Sequence, residues 1–179
     1  MEKINIFTGL SFNTKRLTID NFSYFKNNLE KTFLISAINI LSPNVTKLLP
    51  DGWQNINTIS TAKKWIKERN EESIFLIIKS SNTSEIIGFI FLFPIDLEND
   101  LIDLRFGYLL SESFWGKGLG TEVVKGLVNK CQELGYVKSI FGGVGKDNIG
   151  SIKVLEKCGF ETLNANEDES VIFYQYLLN

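Results

Sequence analysis

Histidine is absent from the 179 residues, and that absence removes more chemistry than any other feature of the composition. Without an imidazole there is no histidine-based triad, no histidine metal site and no histidine general base. Cysteine is scarce. Cys131 and Cys158 both lie inside helical patterns and lack metal-type spacing, so they are expected to be buried thiols, with no disulfide and no bound metal. An excess of one charge is lacking too: 19 basic residues face 21 acidic ones for a net charge of −2. The surface as a whole is therefore not drawn to nucleic acid or to an anionic membrane. The longest apolar run near the start is broken by Asn, Lys and Asp, so neither a signal peptide nor a spanning helix is expected, and a cytoplasmic location is. No repeat, low-complexity tract or linker divides the chain, whose length suits a single domain over 1–179 with a core of its own.

What the chain does have is glycine where it matters. In Phe114–Thr121, FWGKGLGT, Gly116, Gly118 and Gly120 fall at every second position just before a helical pattern. With no Cβ over the backbone, several N–H groups can point the same way at the first turn of a helix, where the macrodipole adds about half a positive charge. That is a cradle for an anion, and a pyrophosphate fits it; a merely flexible loop is the alternative.

Hydrophobic periodicity places the rest. Thr14–Ile19 alternates and reads as a first strand, with Asp20 able to cap the helix after it. Apolar residues at three- and four-residue steps from Phe22 to Leu41 give one helix or two short ones, ended by Ser42-Pro43. Asn44 to Ile59, with Pro50, Gly52 and Trp53, reads as a loop with a short helical turn. A second helix, capped by Thr58 or Ser60, buries Ala62, Trp65 and Ile66 and runs to Asn70. Ser73–Lys79 and Ile86–Pro94 form an antiparallel hairpin, and Leu101–Leu110 is a third strand after the Glu98-Asn99-Asp100 turn. Beyond the glycine loop, Val123, Val124, Leu127, Val128, Cys131 and Leu134 make one helical face that Gly135 ends. A strand at Lys138–Val144, a helix at Asn148–Cys158 closed by Gly159, and a hairpin of Phe160–Leu163 with Ser170–Leu178 complete the order. The result is an α/β chain with a mixed, mostly antiparallel sheet and helices on both faces.

Two nucleotide motifs fail. The spacing is G-x-G-x-G after antiparallel strands, where a dinucleotide fingerprint needs G-x-G-x-x-G between parallel ones. The run Gly142-Gly143-Val144-Gly145-Lys146 lacks the P-loop's first glycine, since Ile140 stands five before Gly145, and Asp147 replaces the magnesium-holding Ser/Thr. The chain resembles instead the GNAT superfamily of acyl-CoA N-acyltransferases over almost its whole length. Trp115-Gly116-Lys117-Gly118-Leu119-Gly120 is similar to that superfamily's Gln/Arg-x-x-Gly-x-Gly/Ala motif, with Trp115 at the Gln/Arg position. Asn148-Ile149-Gly150-Ser151, followed by Val154 to Phe160, resembles its Asn-x-x-Ser helix and closing Lys-x-Gly-Phe. Thr14-Lys15-Arg16-Leu17 and Phe106-Gly107-Tyr108-Leu109 resemble the branch that includes the RimJ and RimL ribosomal-protein N-terminal acetyltransferases.

The resemblance implies a GNAT-like fold whose central sheet splays between two strands, with acetyl-CoA as co-substrate and no metal. It implies that the acyl-pantetheine arm lies along Leu109, Leu110 and Ser111, and that the pyrophosphate falls on the N–H groups of Gly116, Lys117, Gly118, Leu119, Gly120 and Thr121. Lys117 adds charge there and Thr121 a hydroxyl. Asn148 and Ser151, one turn apart, reach the pantetheine or the departing sulfur, while Asn148 is equally suited to a plain N-cap.

The implied reaction is direct attack of an amine on the thioester, by positioning and oxyanion stabilisation. With no histidine the base is a carboxylate, a tyrosine or a water chain. Asp103 is the first candidate, sharing one strand face with Arg105 and Gly107; the alternative is an Asp103-Arg105 pair, and by spacing Leu104 or Arg105 falls nearest the family's usual Glu. The family's thiolate-protonating Tyr is Leu155 here, which leaves Ser151 as a hydrogen-bond donor to sulfur, with Tyr108 and Tyr174 as further candidates whose alternative role is strand packing.

Substrate choice is expected from Ser42–Ile59, where Trp53 can wall the acceptor site and Trp65 is core, and from the Asn164–Glu169 turn, with Glu167, Asp168 and Glu169. Asp103 and Tyr174 complete the acceptor candidates. A peptide α-amine titrates at about 7.7 to 8.0 and a lysine at about 10.4, so a weak base suits an N-terminal acceptor better. On that argument and on what the branch resemblance implies, a protein or peptide N-terminus is expected over a lysine or an aminoglycoside, in a monomer or homodimer, with a polyamine or aminoglycoside N-acetyltransferase and a non-catalytic acyl-CoA-binding module as the alternatives.

Overall fold

A computed structural model describes residues 10–25, 31–49, 51–98, 101–164 and 170–178. Its elements are β1 (Phe12–Asn13), β2 (Leu17–Asn21), α1 (Lys31–Ile40), α2 (Pro43–Thr46), α3 (Ile59–Glu72), β3 (Ile74–Ser80), β4 (Ile86–Glu98), β5 (Leu101–Leu110), α4 (Leu119–Leu134), β6 (Val137–Gly145), α5 (Ile149–Lys157), β7 (Glu161–Asn164) and β8 (Val171–Leu177). The strands form one eight-stranded mixed sheet in the order β1-β2-β3-β4-β5-β6-β8-β7. The chain divides into two compact units: the residues up to Phe91 with Tyr108–Gly116, and Leu92–Gly107 with Lys117 onward.

In the first unit, β2 pairs antiparallel with β1 and β3, and α1 and α3 pack on each other. Trp65 of α3 is 1% exposed and sits among Phe75, Phe89 and Phe91, with ring centroids 5.6 to 5.9 Å away. Burying rings of this size stabilises by roughly 1.5 to 3 kcal/mol each, which makes this cluster the unit's main anchor. The start of α3 is set by Thr58. Its hydroxyl accepts from the Thr61 N–H while the Thr61 hydroxyl accepts from the Thr58 N–H, a reciprocal cap that satisfies two donors.

In the second unit, β5 and β6 run parallel, a pairing that needs a crossover, and α4 supplies it. Val123, Val124, Leu127, Val128 and Cys131 form the buried stripe of α4, and Gly135 ends it at φ +73°. β8 pairs antiparallel with both β6 and β7. The parallel ladder covers Ile102–Arg105 and Val137–Phe141, its last pair being Arg105 with Phe141, although both strands run on for several residues.

Several expectations need correcting. The stretch read as one strand from Thr14 is a turn and a strand: the Thr14 hydroxyl accepts from the Leu17 N–H and the Thr14 N–H donates to the Leu17 carbonyl, which closes a β1-β2 hairpin. Asp20 does not cap a helix. It pairs with Lys79 across β2 and β3 at 2.6 Å, and Asn21 caps the 3-10 turn Phe22–Tyr24 by accepting from the Ser23 N–H. The first helix is seen as α1; residues 26–30 lie outside the described residues, as do Pro50, Asn99, Asp100 and the acidic turn Glu167, Asp168 and Glu169. β4 runs through Pro94 to Glu98. Ser80 donates to Glu85 across the hairpin and β3 begins at Ile74, so β4 outruns β3 before Pro94, where a missing N–H costs no ladder bond to β3.

Candidate active site

Of the three glycines, Gly116 and Gly118 stand ahead of the helix and Gly120 lies inside its first turn. A short 3-10 turn, Glu112–Phe114, leads to Trp115, after which Gly116 and Gly118 both adopt left-handed backbone, at φ +70° and +73°. L-residues with a Cβ rarely take that conformation. α4 starts directly after Gly118, a residue with no side chain to cap it, and no side-chain cap bond is seen among the described residues. The first N–H groups of a sixteen-residue helix are thus left to solvent or a ligand at the positive end of its dipole. Trp115, Gly116, Lys117 and Gly118 are exposed, Leu119 is buried, and Gly120 and Thr121 are half-buried.

The strand end before the loop is distorted in a specific way. A Cβ placed on Gly88 of β4 would lie 2.3 Å from the Leu109 carbonyl oxygen and 2.8 Å from a Leu110 methyl. The Leu109 carbonyl therefore leans over β4, occupying side-chain space, and only glycine leaves room for it. Leu109 and Leu110 are buried and Ser111 is half-buried. The Ser111 N–H donates to the Ile87 carbonyl at 2.8 Å, the Ser111 carbonyl accepts from the Phe114 N–H, and the Leu110 carbonyl accepts from the Trp115 indole. Three of the backbone groups that the resemblance assigns to pantetheine are thus already engaged within the protein. In the second unit Gly142 plays a related part: a Cβ there would lie 2.9 Å from the Phe106 carbonyl.

Asn148 is the N-cap of α5, its side-chain oxygen accepting from the Ser151 N–H at 3.1 Å. The Ser151 hydroxyl is half-buried and has no partner among the described residues. α4 and α5 are joined nearby by the Cys158 thiol, which donates to the Thr121 carbonyl at 3.6 Å. Burial pushes the Cys158 thiol up, and it pushes that of Cys131 up to about 12. Both cysteines are free and buried, as their helical placement implies, an environment that keeps a thiol protonated.

Asp103 is half-buried on β5, and its carboxylate accepts a 2.6 Å hydrogen bond from the fully buried hydroxyl of Ser139 on β6. The Asp103-Arg105 pair does not form: the Arg105 guanidinium lies over the Phe93 ring, 4.7 Å from its centroid. A cross-strand hydroxyl competes better than a neighbour two residues along, because the parallel register sets Ser139 opposite Asp103. Tyr108 is half-buried. Tyr174 is 3% exposed, and its hydroxyl donates to a Glu156 carboxylate oxygen at 3.4 Å. Burial first, and then the Glu156 charge, holds this phenol above its ordinary range. Leu155 is buried.

Trp53 is half-buried. Its ring meets Trp65 and Phe91 edge-on at 5.5 and 4.8 Å, and the Arg69 guanidinium lies 4.7 Å from its centroid. Arg69 is buried, with Nη2 paired to Glu72 at 3.0 Å. The loop carrying Trp53 is thereby fixed to α3 and β4. The same unit ties α2 to the glycine-loop approach, the Asn44 amide donating to Glu112 at 2.9 Å.

Gly88, the Trp115 indole bond and the Asn44-Glu112 contact were not singled out from the sequence. An isolated glycine inside the strand pattern Ile86–Leu92 is a signal for close backbone approach and points to Gly88; nothing local announces the other two.

Comparison with known proteins shows the family and the fold. The family model for the acetyltransferase (GNAT) domain matches residues 34–161. The chain belongs to that family. It is 37% identical over 93 residues to a probable N-acetyltransferase, YjcK, of Bacillus subtilis (strain 168), a match covering 52% of this chain and 50% of that protein. This chain therefore aligns with about half the length of that relative. The fold is shared with a GNAT-family acetyltransferase from Bacillus anthracis, at a TM-score of 0.73 and 15% identity, over 94% of this chain and 98% of that one. It is shared also with the RimL ribosomal L7/L12 α-N-protein acetyltransferase in complex with coenzyme A, at 0.73 and 17%, again over 94% and 98%. The microcin C7 self-immunity acetyltransferase MccE, in complex with acetyl-CoA and AMP, matches at 0.67 and 22% over 92% and 93%.

Proposed function

We propose that the chain, acting as one domain over 1–179, is an N-acetyltransferase that moves an acetyl group from acetyl-CoA directly to a primary amine. The observation that carries this reading is the uncapped start of α4 behind two left-handed glycines, Gly116 and Gly118. Backbone donors gathered at the positive end of a long helix, in an exposed loop, suit a pyrophosphate. Family membership and two CoA-bound structures of the same fold support the same ligand.

In this reading the residues from Gly116 to Thr121 hold the pyrophosphate, and Leu109 to Ser111 flank the pantetheine. Asn148 and Ser151 approach the thioester sulfur, where the unpartnered Ser151 hydroxyl donates to the developing thiolate. The thiolate's ordinary pKa near 8.5 lets it depart without a dedicated acid, which accommodates the leucine at 155. The carboxylate of Asp103, with one oxygen held by Ser139, takes the amine's proton directly or through water, and Tyr108 is the second candidate donor to the departing sulfur. No acyl-enzyme forms: the amine nitrogen bonds to the carbonyl carbon, the C–S bond breaks, and CoA leaves as the thiol once protonated.

The acceptor proposed is a protein or peptide N-terminus. The α-amine loses its proton more readily than a lysine, which suits a carboxylate or water-relay base, and Trp53, fixed on α3 and β4, offers a rigid wall on the segment leading into α3. Tyr174, buried against Glu156, helps shape the acceptor side without needing to meet the amine itself. A thermal-shift titration with acetyl-CoA and CoA tests the ligand, since ligand at 100 times its dissociation constant stabilises by about 2.7 kcal/mol. No shift at millimolar ligand would remove the reading. Thiol release above background with amines and peptides separates the enzyme from a non-catalytic acyl-CoA holder.

A further inference from the structure

Trp115 is 47% exposed, yet its indole N–H makes a 2.8 Å hydrogen bond to a main-chain carbonyl, that of Leu110 at the end of β5. A large ring left half in water contributes little burial, so the position uses the N–H more than the surface. The bond closes a five-residue excursion. Between Leu110 and Trp115 the chain makes a 3-10 turn, with Phe114 donating to Ser111 at 2.9 Å and Trp115 donating to Glu112 at 3.1 Å. The residue immediately after the indole is Gly116, the first of the two left-handed glycines. Exposed glycines have many conformations to lose, and a cradle assembled only when the ligand arrives binds more weakly by that entropy. A side-chain bond from Trp115 back to the rigid strand end removes part of that freedom in advance.

We propose that Trp115 is a positioning residue for the pyrophosphate cradle: its indole, anchored on the Leu110 carbonyl, sets the direction in which the chain enters Gly116–Gly118. The inference rests on the acetyl-CoA reading above and goes further, because it assigns a role to a residue that stands at the Gln/Arg position of the glycine motif. The anchor acts on the pyrophosphate part of the ligand through the direction of the loop; the Leu110 carbonyl that it occupies belongs to the stretch flanking the pantetheine, so S-acetylpantetheine reports whatever part of the effect arises there.

The test is Trp115→Phe, which keeps an aromatic ring and loses the donor. Calorimetric titration with CoA, and steady-state kinetics with acetyl-CoA and with S-acetylpantetheine, which lacks the pyrophosphate, are run on wild type and variant. One net hydrogen bond corresponds to roughly a threefold to tenfold effect. The expected result is a CoA dissociation constant raised by that factor, a higher KM with kcat little changed for acetyl-CoA, and a fall of the same factor in the preference for acetyl-CoA over S-acetylpantetheine. An equal loss with both thioesters, or an unchanged CoA affinity, overturns the proposal. Failure of the wild type itself to bind CoA overturns the acetyl-CoA reading, and this inference with it. Should the variant not fold, hydrogen exchange of the Trp115 indole in the wild-type chain decides. Slowed exchange in the free protein, slowed further by CoA, supports the anchor, and exchange at the rate of a free indole overturns it.

Discussion

Replacing Gly88 by alanine is the most informative single perturbation, because its cost is set by a distance. The new Cβ would stand 2.3 Å from the Leu109 carbonyl oxygen, 2.8 Å from a Leu110 methyl and 3.2 Å from the Leu110 Cα. Ordinary contact begins at 3.4 Å, so β5 must retreat from β4 by about 1 Å, and the obstacle is backbone that no rotamer change moves aside. Overpacking of this kind costs about 1 to 3 kcal/mol, at the upper end when the main chain must shift. The strand that shifts carries Leu109 to Ser111, and the Ile87 carbonyl that accepts from Ser111 is the neighbour of Gly88. A displacement of about 1 Å at a positioned substrate costs on the order of 100-fold in rate. Gly107→Ala is the control on the same strand: a Cβ at Gly107 meets nothing within 4 Å and its φ is not left-handed. It is expected to leave stability within about 1 kcal/mol of wild type, on the stabilising side if anything, through the unfolded chain. Urea unfolding and kcat/KM with acetyl-CoA are measured on both. If Gly88→Ala unfolds within about 0.5 kcal/mol of wild type and keeps its kcat/KM, the strained approach of Leu109 to Gly88 is not what shapes this strand end.

Gly118→Val puts a β-branched residue at φ +73°; roughly 1 to 3 kcal/mol of stability is lost, and the thermal shift produced by acetyl-CoA disappears. Asn148→Ala removes the cap of α5 and lowers stability by about 1 kcal/mol, whereas Asn148→Asp restores the cap. If Asn148→Asp recovers the melting temperature but not the rate, the amide serves the ligand as well as the helix; if it recovers both, the cap is its whole function. Cys131 supplies a pH prediction, its thiol being raised from 9.0 to about 12 by burial. Above pH 9 the unfolded chain releases this proton while the folded chain keeps it, so the contribution to stability is constant below pH 9 and falls as pH rises from about 9 towards 12. The slope is about 1.4 kcal/mol per pH unit. Urea unfolding of wild type and Cys131→Ala between pH 8 and 10.5 is expected to show the difference shrinking by about 2 kcal/mol, and a difference that stays constant would contradict the buried-thiol account.

What could be read from the sequence was what repeats or punctuates. The buried face of α4, its end at Gly135 and the cap at Asn148 are local signals, and all appear in the structure. The glycine spacing marked the loop ahead of α4, but it did not tell that Gly116 and Gly118 take left-handed backbone while Gly120 joins the helix. What was hidden depends on partners far along the chain. Asp103 looked paired with Arg105 because they share a strand face, but the hydroxyl that takes its carboxylate is Ser139, 36 residues on. Asp20 looked like a cap because it follows an alternating strand, and Lys79 across the sheet claims it instead. Trp53 was placed in a polar loop as a candidate wall of the acceptor site, and the rings that hold it, on α3 and β4, could not be read locally. The GNAT family was legible from three short motifs; the acceptor was not, because its selection rests on loops whose side chains follow no period.

The central claim is that this chain moves acetyl from acetyl-CoA to an N-terminal amine, and the direct measurement is a competition. The purified protein is given acetyl-CoA with a panel of amines at equal concentration: peptides with free α-amines, the same peptides blocked at the N-terminus but carrying lysine, polyamines and aminoglycosides. Free thiol is followed with time, and the products are sequenced by fragmentation mass spectrometry. The account predicts thiol release above background, with the highest kcat/KM for free α-amines and the acetyl group on the first nitrogen of the peptide. Thiol release no faster than background with every amine, despite a thermal shift with CoA, would contradict it and leave an acyl-CoA-binding module; a higher kcat/KM for polyamines or aminoglycosides would contradict the acceptor.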